Sequence, residues 1–318
     1  MKLSVALCTY NGEKYIEKQL NSIFNQTMPI DEINICDDGS NDKTIEIINQ
    51  IQKTYPTIIK LHQNEINLGC TKNFEKAIEL CQGDYIFLSD QDDLWKKDKV
   101  EKTLAIFDKN PNAEGVFSNA ELIDNSDHLI SDHTIWDSVF FLEKEFQKPI
   151  DYFNIISKNG NFVTGATLCI KKQVKDFIFS FTDPIVLHDE KIATLLILRE
   201  SLYYSTENLI SYRIHQNQQV GMKNMNKIES KKRLKRIILD LEKPATYFEY
   251  RHLMKKKYLK YHKAQKYLVF NSSKIDINQL IETSFNEYNA FINSFKKKFP
   301  IHYFLSSIVD TLRNKRKL

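Results

Sequence analysis

Four short apolar runs alternate with amphipathic stretches over the first 90 residues. Leu3-Ser4-Val5-Ala6-Leu7-Cys8 is almost continuously apolar, as strands of a parallel sheet buried on both faces are. Thr9-Tyr10-Asn11-Gly12 breaks it. Tyr15, Ile16, Leu20, Ile23 and Phe24 then form one helical stripe that ends before Met28-Pro29. A second strand, Glu32-Ile33-Asn34-Ile35-Cys36, runs into Asp37-Asp38-Gly39-Ser40-Asn41-Asp42. Ser40 or Asn41 is placed to cap the next helix, which carries Thr44, Ile45, Ile47, Ile48 and Ile51. Ile58 to Leu61 predicts a third strand, Asn64 to Gly69 a turn, and Thr71 to Cys81 a helix. Tyr85 to Leu88, after the turn signal Gln82-Gly83-Asp84, predicts a fourth strand. This alternation calls for an α/β fold with a parallel sheet and right-handed crossovers.

Further on, Val116 to Ala120 reads as a strand, and Glu190 to Arg199 as a helix with Ile192, Leu195 and Leu196 buried. After Asn226 the pattern changes. Lys231 to Leu239 and Lys255 to Tyr261 are helical, basic and aromatic, and residues 295–318 set Phe299, Tyr303, Phe304, Ile308 and Leu312 among lysines and arginines. The net charge of +4 hides this split. Residues 1–222 hold 22 Lys and Arg against 33 Asp and Glu, a balance of −11, whereas 223–318 hold 23 against 8, or +15. A domain over 1–222 with a basic helical region over 223–318 follows. Basic aromatic helices fit peripheral contact with an anionic membrane, or plain packing with solvated lysines. No nucleic-acid motif is present, which argues against a nucleic-acid partner. No apolar leader and no run long enough to span a bilayer stand out, and the five cysteines include no C-x-x-C pair. A cytoplasmic protein, working on the inner face of the cell membrane if the tail binds it, is expected.

Candidate chemistry sits where the fourth apolar run stops in acid, at Ser89-Asp90-Gln91-Asp92-Asp93. In extended chain Asp90 and Asp92 point one way and Asp93 the other. Two carboxylates held close favour a cation between them, and Mg²⁺ or Mn²⁺ takes such carboxylates together with phosphate oxygens and water. The blander alternative is an ordinary acidic loop over Trp95. Asp37 and Asp38 end the second strand, and Thr9-Tyr10-Asn11 ends the first. In an open parallel sheet these three ends share one edge, where ligands bind. The chain has neither a Gly-x-Gly-x-x-Gly loop nor a P-loop, so phosphates here would need a metal.

Taken together, Ser4 to Gly12, Asp37-Asp38-Gly39-Ser40 with Asp42 and Thr44, Asn67-Leu68-Gly69 with Asn73, Gly83 to Ile86, and Asp90-Gln91-Asp92-Asp93 with Trp95 resemble the family-2 glycosyltransferases of GT-A fold. The flavour is that of bacterial rhamnosyltransferase-like members, and the resemblance covers about residues 1–220. It implies a Rossmann-like, mostly parallel sheet flanked by helices, with residues 1–110 as nucleotide-sugar half, 111–222 as acceptor half, and a helical C-terminal extension. It implies inverting, metal-dependent transfer of a sugar, rhamnose among the candidates. The donor would be a nucleoside-diphosphate sugar and the acceptor a cell-surface glycan or a lipid-linked molecule.

The resemblance also places residues. Thr9, Tyr10 and Asn11, with Glu13 nearby, would frame base and ribose, and Asp38 would hydrogen-bond one of them. Asn67 and Gly69 would form a loop over the nucleotide, and Lys72 would reach its phosphates. Asp90 would lie on the ribose side and Asp92 on the metal, Mn²⁺ or Mg²⁺. Residues Asn161 to Cys169 would supply a strand and a glycine turn at Gly165 lining the acceptor pocket. His188-Asp189 would open a helix with Asp189 as general base, tuned by His188 or by burial; otherwise Asp189 merely caps that helix. In Tyr212-Arg213-Ile214-His215-Gln216-Asn217, His215 would bind metal or phosphate and Arg213 would neutralise the diphosphate. Gln218 to Asn226 would be a mobile lid. A nucleotidyltransferase on a similar sheet, or a non-catalytic scaffold that binds nucleotide sugars, are the competing readings.

Overall fold

The apolar runs near the N-terminus become strands covered on both faces. β1 (Leu3–Thr9) and β2 (Glu32–Asp37) are buried along their whole length, as a sheet with helices on either side requires. The computed structural model describes residues 1–146, 149–179, 186–216 and 228–305. The chain runs β1, α1 (Ile16–Phe24), β2, α2 (Thr44–Thr54), β3 (Ile59–Gln63), α3 (Cys70–Leu80), β4 (Tyr85–Ser89), β5 (Leu94–Trp95), α4 (Lys99–Lys109), β6 (Gly115–Ile123) and β7 (Leu129–Thr134). Then come α5 (Ile135–Val139), α6 (Tyr152–Lys158), β8 (Cys169–Lys171), α7 (Lys175–Ile178), α8 (His188–Leu198), β9 (Leu202–Arg213), α9 (Ile228–Ile238), α10 (Tyr247–Lys266) and α11 (Ile277–Lys298). Two compact units result: Met1–Phe141 with Asn161–Met225, and Leu142–Gly160 with Asn226–Leu318.

In the first unit the strands form one sheet in the order β3-β2-β1-β4-β8-β6-β9-β5, with β7 pairing β6 off this path. β3, β2, β1 and β4 run parallel, while β8 and β5 are antiparallel to their neighbours. Because β1 lies between β2 and β4, Thr9 pairs with Asp37 and Leu7 with Ser89. The polar residues that end these strands therefore meet at one edge.

Two local expectations are corrected here. Neither Ser40 nor Asn41 caps α2. Ser40 bonds the Asp37 carboxylate instead, and Asp42 Oδ1 accepts the Thr44 N–H at 3.0 Å. No strand covers the whole of 161–169. Residues Gly165–Thr167 form a single 3-10 turn, and only Cys169–Lys171 pairs in the sheet.

Glu32 anchors the start of β2. Its carboxylate accepts from Ser4 Oγ (2.6 Å), Gln82 N (2.5 Å), Lys60 Nζ (2.8 Å) and Lys2 Nζ (3.1 Å). Burial alone would raise its pKa, but Lys60, Ser4, the Gln82 N–H and Lys2 outweigh burial and hold it down to about 2. A depressed carboxyl stabilises the fold above its unfolded value of 4.5, and that stability is lost as the pH falls toward 2. Glu32→Ala is expected to cost about 2–3 kcal/mol at pH 7, because Ser4 and the Gln82 N–H lose their acceptor. Thermal unfolding at pH 7 checks this, and the gap to the parent should narrow as the pH approaches 2.

In the second unit α6, α9 and α11 all pack on α10. Thr246 and Glu249 form a capping box at the start of α10, and Asp276 caps α11. The core gathers Met254, Tyr288, Ile292 and Phe295, with Tyr247, Tyr250, Tyr258, Phe291, Phe299 and Tyr303 packed around it. Of the two readings open for Phe299 and Tyr303, membrane contact or packing, these two side chains follow packing and face the protein. The expected lid at 218–226 and the positions of Asn217, Ile308 and Leu312 lie outside the described residues. Among the described residues no helix is long and apolar enough to cross a membrane.

Candidate active site

The loops after β1, β2 and β4 open into a cleft of ≈ 860 Å³ in the first unit. Thr9, Tyr10, Asn11 and Glu13 line it from the first loop, Asp38 from the second, and Asp90, Gln91 and Asp92 from the third. Gly165, His188 and Asp189 line it as well, and so does His215. The volume suits a ligand the size of a nucleotide sugar.

Gln91, to which the sequence reading gave no role, ties the first loop to the acidic strand end. Its Oε1 accepts from Thr9 Oγ1 (2.6 Å) and Tyr10 N (2.8 Å), and its Nε2 donates to Tyr10 O (3.1 Å). A Cβ on Gly12 would stand 2.2 Å from Gln91 Oε1, so any larger residue there must push the Gln91 amide off Thr9 and Tyr10. Asn11 sits at φ 51°, in the left-handed region that asparagine tolerates. Its N–H donates to Ser40 Oγ (2.9 Å) and its Oδ1 accepts from Asn41 N (2.8 Å). Glu13 Oε2 accepts from Lys43 N at 3.0 Å.

Asp38 holds the 64–69 loop. Its carboxylate accepts from Asn64 Nδ2 (2.8 Å), Leu68 N (2.7 Å) and Gly69 N (2.9 Å), and its carbonyl accepts from Asn67 Nδ2 (2.9 Å). Gly69 takes φ 78° to make this turn. Asn67 and Gly69 are therefore framework behind Asp38 and do not line the cleft. Lys72 is exposed on α3 and also stays out of the cleft wall, which is lined on this side by Cys70, Asn73 and Phe74. Helical geometry explains this: Asn73 and Phe74 occupy the buried face of α3, so Lys72 points to solvent.

The acids separate as expected, although β4 ends at Ser89 and the chain bends at Gln91 and Asp92. Asp90 and Asp92 line the cleft, while Asp93 is 1% exposed and its Oδ1 accepts the Arg213 N–H at 2.9 Å. Burial, then the charges of Asp92 and Asp189, push Asp90 up to about 7. Lys99 lies below, 1% exposed, with Nζ donating to Ala166 O (2.8 Å) and lying 3.9 Å from the Trp95 ring centre. Burial brings its pKa down to about 7 against the pull of Asp93, Cys169 and Asp90.

Asp92 Oδ2 lies 2.8 Å from His215 Nε2. Among the described residues no three His, Cys, Asp or Glu side chains come together as a ready-made metal cage. An Asp–His pair beside a second carboxylate, open to the cleft, suits Mg²⁺ or Mn²⁺ when phosphate oxygens and water complete the shell. Arg213 departs from its expected role. It is fully buried outside the cleft, with Nε donating to Asp92 O (2.7 Å), Nη1 to Asp124 O (2.6 Å), and Nη2 2.6 Å from Asp127 Oδ1. Its guanidinium stacks over the Tyr15 ring. The planar fork is occupied in bracing the acidic loop from behind, leaving it no reach to a diphosphate in the cleft.

Asp189 lies inside the first turn of α8, which starts at His188 with Leu187 as cap residue. Its Oδ1 accepts from Glu190 N (2.7 Å) and its Oδ2 from Gly165 N (3.3 Å). Burial lifts its pKa to about 6 although those N–H groups pull it down. His188 is stacked on Phe74, ring centres 4.0 Å apart, and burial, with Lys191 adding, drives its pKa down to about 3. A neutral His188 therefore positions the turn, and burial is what tunes Asp189.

Gly165 fits between these two side chains. A Cβ there would lie 2.9 Å from His188 Nε2 and 3.7 Å from Asp189 Cβ. The stacked ring cannot swing away, so Gly165→Ala must shift the start of α8. We expect turnover to fall about tenfold, because small displacements of a reacting group are costly. Steady-state rates beside an unfolding curve check this; an unchanged rate would show that the turn has room to spare.

A sequence model described as Glycosyl transferase family 2 matches residues 4–166. The dTDP-rhamnosyl transferase RfbG of Shigella flexneri is 34% identical over 227 residues, covering 68% of this chain and 73% of that protein. Abequosyltransferase RfbV of Salmonella typhimurium is 28% identical over 187 residues, covering 56% of this chain and 55% of that protein. Among solved structures, S. aureus TarS 1–349 in complex with UDP-GlcNAc matches with a TM-score of 0.53 at 16% identity, covering 91% of this chain and 80% of that one. At that identity the likeness speaks for the fold alone.

Proposed function

We propose that this chain, which belongs to glycosyl transferase family 2, transfers a sugar from a nucleoside diphosphate to an acceptor hydroxyl with inversion at the anomeric carbon. It is a glycosyltransferase of GT-A fold. The observation that supports the inverting reading is that Asp189 shares one cleft with Asp90 and Asp92. A single displacement needs one carboxylate to take the acceptor proton and counter-charge for the departing diphosphate. Asp189 is the base. It takes the proton as the acceptor oxygen attacks the face of the sugar opposite the leaving group.

Thr9, Tyr10, Asn11 and Glu13, with Asp38 behind, frame the nucleoside, and Asp90 meets the ribose. Mn²⁺ or Mg²⁺, held by Asp92 and His215, would supply positive charge to the leaving diphosphate. Gly165 and His188 shape the acceptor side. The likeness to a dTDP-rhamnosyl transferase favours rhamnose as the sugar, and a cell-surface glycan or a lipid-linked molecule as acceptor. Catalysis belongs to residues 1–222 and contact with an anionic membrane, on its cytoplasmic face, to 223–318.

Thermal unfolding against a panel of nucleoside diphosphates, each with and without Mn²⁺, tests this reading. A ligand at 100 times its Kd stabilises by about 2.7 kcal/mol, a clear shift of the midpoint. A shift for one base that requires the metal is expected. No shift with any of them would overturn the donor site.

A further inference from the structure

Residues 300–305 continue helically after α11. One side of this turn is anchored: Tyr303 meets Phe295 edge-on at 5.7 Å, and Phe295 is wholly buried. The other side is bare. Ile301, Phe304 and Leu305, spaced to share one helix face, are 71%, 63% and 56% exposed. Phe248, at the start of α10, is 78% exposed, and the Tyr247 ring contacts both it (5.5 Å) and His302 (5.0 Å), which brings Phe248 near this turn. Scattered exposed apolar residues are ordinary, but four large ones together are not.

Lysines border this patch. Lys296, Lys297 and Lys298 close α11. Lys296 Nζ lies over the Tyr303 ring (5.1 Å), on the anchored side of the turn, and Lys298 Nζ over that of Tyr250 (4.7 Å), so their stems run along core-facing rings and their charges flank the bare face. The wider region carries 23 Lys and Arg against 8 Asp and Glu over residues 223–318.

We propose that the face formed by Ile301, Phe304, Leu305 and Phe248, with Lys296, Lys297 and Lys298 at its edge, docks on the surface of an anionic lipid bilayer. The apolar side chains enter the boundary between headgroups and acyl chains while the lysines stay among anionic headgroups. A lipid surface offers an apolar and an anionic environment a few ångströms apart, the pairing that this face with its lysines presents. The proposal rests on the reading that the acceptor is carried at a membrane, and it narrows the expected contact from residues 223–318 to one face.

The test is co-sedimentation of the full chain with vesicles of phosphatidylglycerol and phosphatidylcholine, against phosphatidylcholine alone, without donor sugar. Binding to the anionic vesicles only, weakening as salt rises, is expected. Ile301→Ser with Phe304→Ser and Leu305→Ser should lower partitioning roughly tenfold or more, with the unfolding midpoint kept because these side chains lie outside the core. Replacing Lys296, Lys297 and Lys298 by Gln should lower it about fivefold per charge at low salt. Equal binding of parent and serine variant, or equal binding to neutral vesicles, overturns the proposal. So does a concentration-dependent dimer that the serine variant abolishes, since a second copy would then own the face. A chain that binds vesicles yet transfers no sugar sinks the enzymatic reading alone. One that transfers to a water-soluble acceptor but stays in the supernatant sinks the docking face alone.

Discussion

Replacing Asp189 by Asn is expected to lower kcat roughly 10²–10⁴-fold while leaving nucleoside-diphosphate binding as it was. Asparagine keeps the shape and still offers Oδ1 to the Glu190 N–H that Asp189 receives at 2.7 Å. The charge that accepts the proton is lost, and with it the acceptor of the longer bond from the Gly165 N–H (3.3 Å). The pH profile should carry the same signature. Burial raises the carboxyl to about 6, against the N–H groups of Glu190 and Gly165. The base works ionised, so kcat/KM of the parent should fall as the pH drops through about 6 and level off above it. The sign reverses for stability. A carboxyl whose pKa rises on folding, here from 3.8, binds protons more tightly when folded, so keeping it ionised costs stability at neutral pH. The Asn variant should therefore melt no lower than the parent at pH 7. Turnover within twofold of the parent would remove Asp189 from the role of base.

Asp92→Ala is expected to abolish the Mn²⁺-dependent part of the nucleotide-induced stabilisation and to lower kcat/KM by about 10³, the scale of several kcal/mol of charge stabilisation. The 2.8 Å contact between Asp92 and His215 disappears with it, leaving the His215 imidazole as the remaining side chain proposed to hold the metal. Asp90 should change as well. After burial, the Asp92 charge is the largest influence holding it up at about 7, so its carboxyl should ionise at lower pH in the variant. Midpoints measured with nucleotide and metal, separately and together, decide the matter. If the Mn²⁺-dependent shift survives in full, Asp92 is not a metal ligand.

The architecture of this cleft was open to inference because its parts are local. An apolar run that stops at a polar residue marks both a buried strand and its functional end, and three such ends on neighbouring parallel strands must share an edge. Alternation pointed Asp93 away from Asp90 and Asp92, and in the bent loop that holds them the Arg213 N–H keeps Asp93 inward. What escaped depends on contacts distant in sequence. Arg213 looked free to meet phosphate, yet it bonds the main chain at Asp92 and Asp124, 121 and 89 residues away, a separation no motif encodes. Gln91 stood between two acids, and nothing local signalled that its amide would bind Thr9 and Tyr10 across 82 and 81 residues. Lys72 failed for the opposite reason: the helical stripe of Asn73 and Phe74 was available and already sent it outward. Residues 142–160 carried no boundary signal, and only the packing of α6 on α10 shows their unit.

That packing has a consequence for the order in which the protein can be made. α6 ends at Lys158, and α10 begins at Tyr247. At ribosomal rates of ~5–20 residues per second, α6 emerges roughly 4–18 s before its partner exists. During that interval Phe153, Ile155 and Ile156, all buried in the finished protein, have nothing of α10 to cover them. A ribosome stalled between the two elements would leave an adhesive nascent segment uncovered while β8 and β9 are still being added to the sheet, so synthesis through this interval is where a chaperone's hold on the chain should matter most.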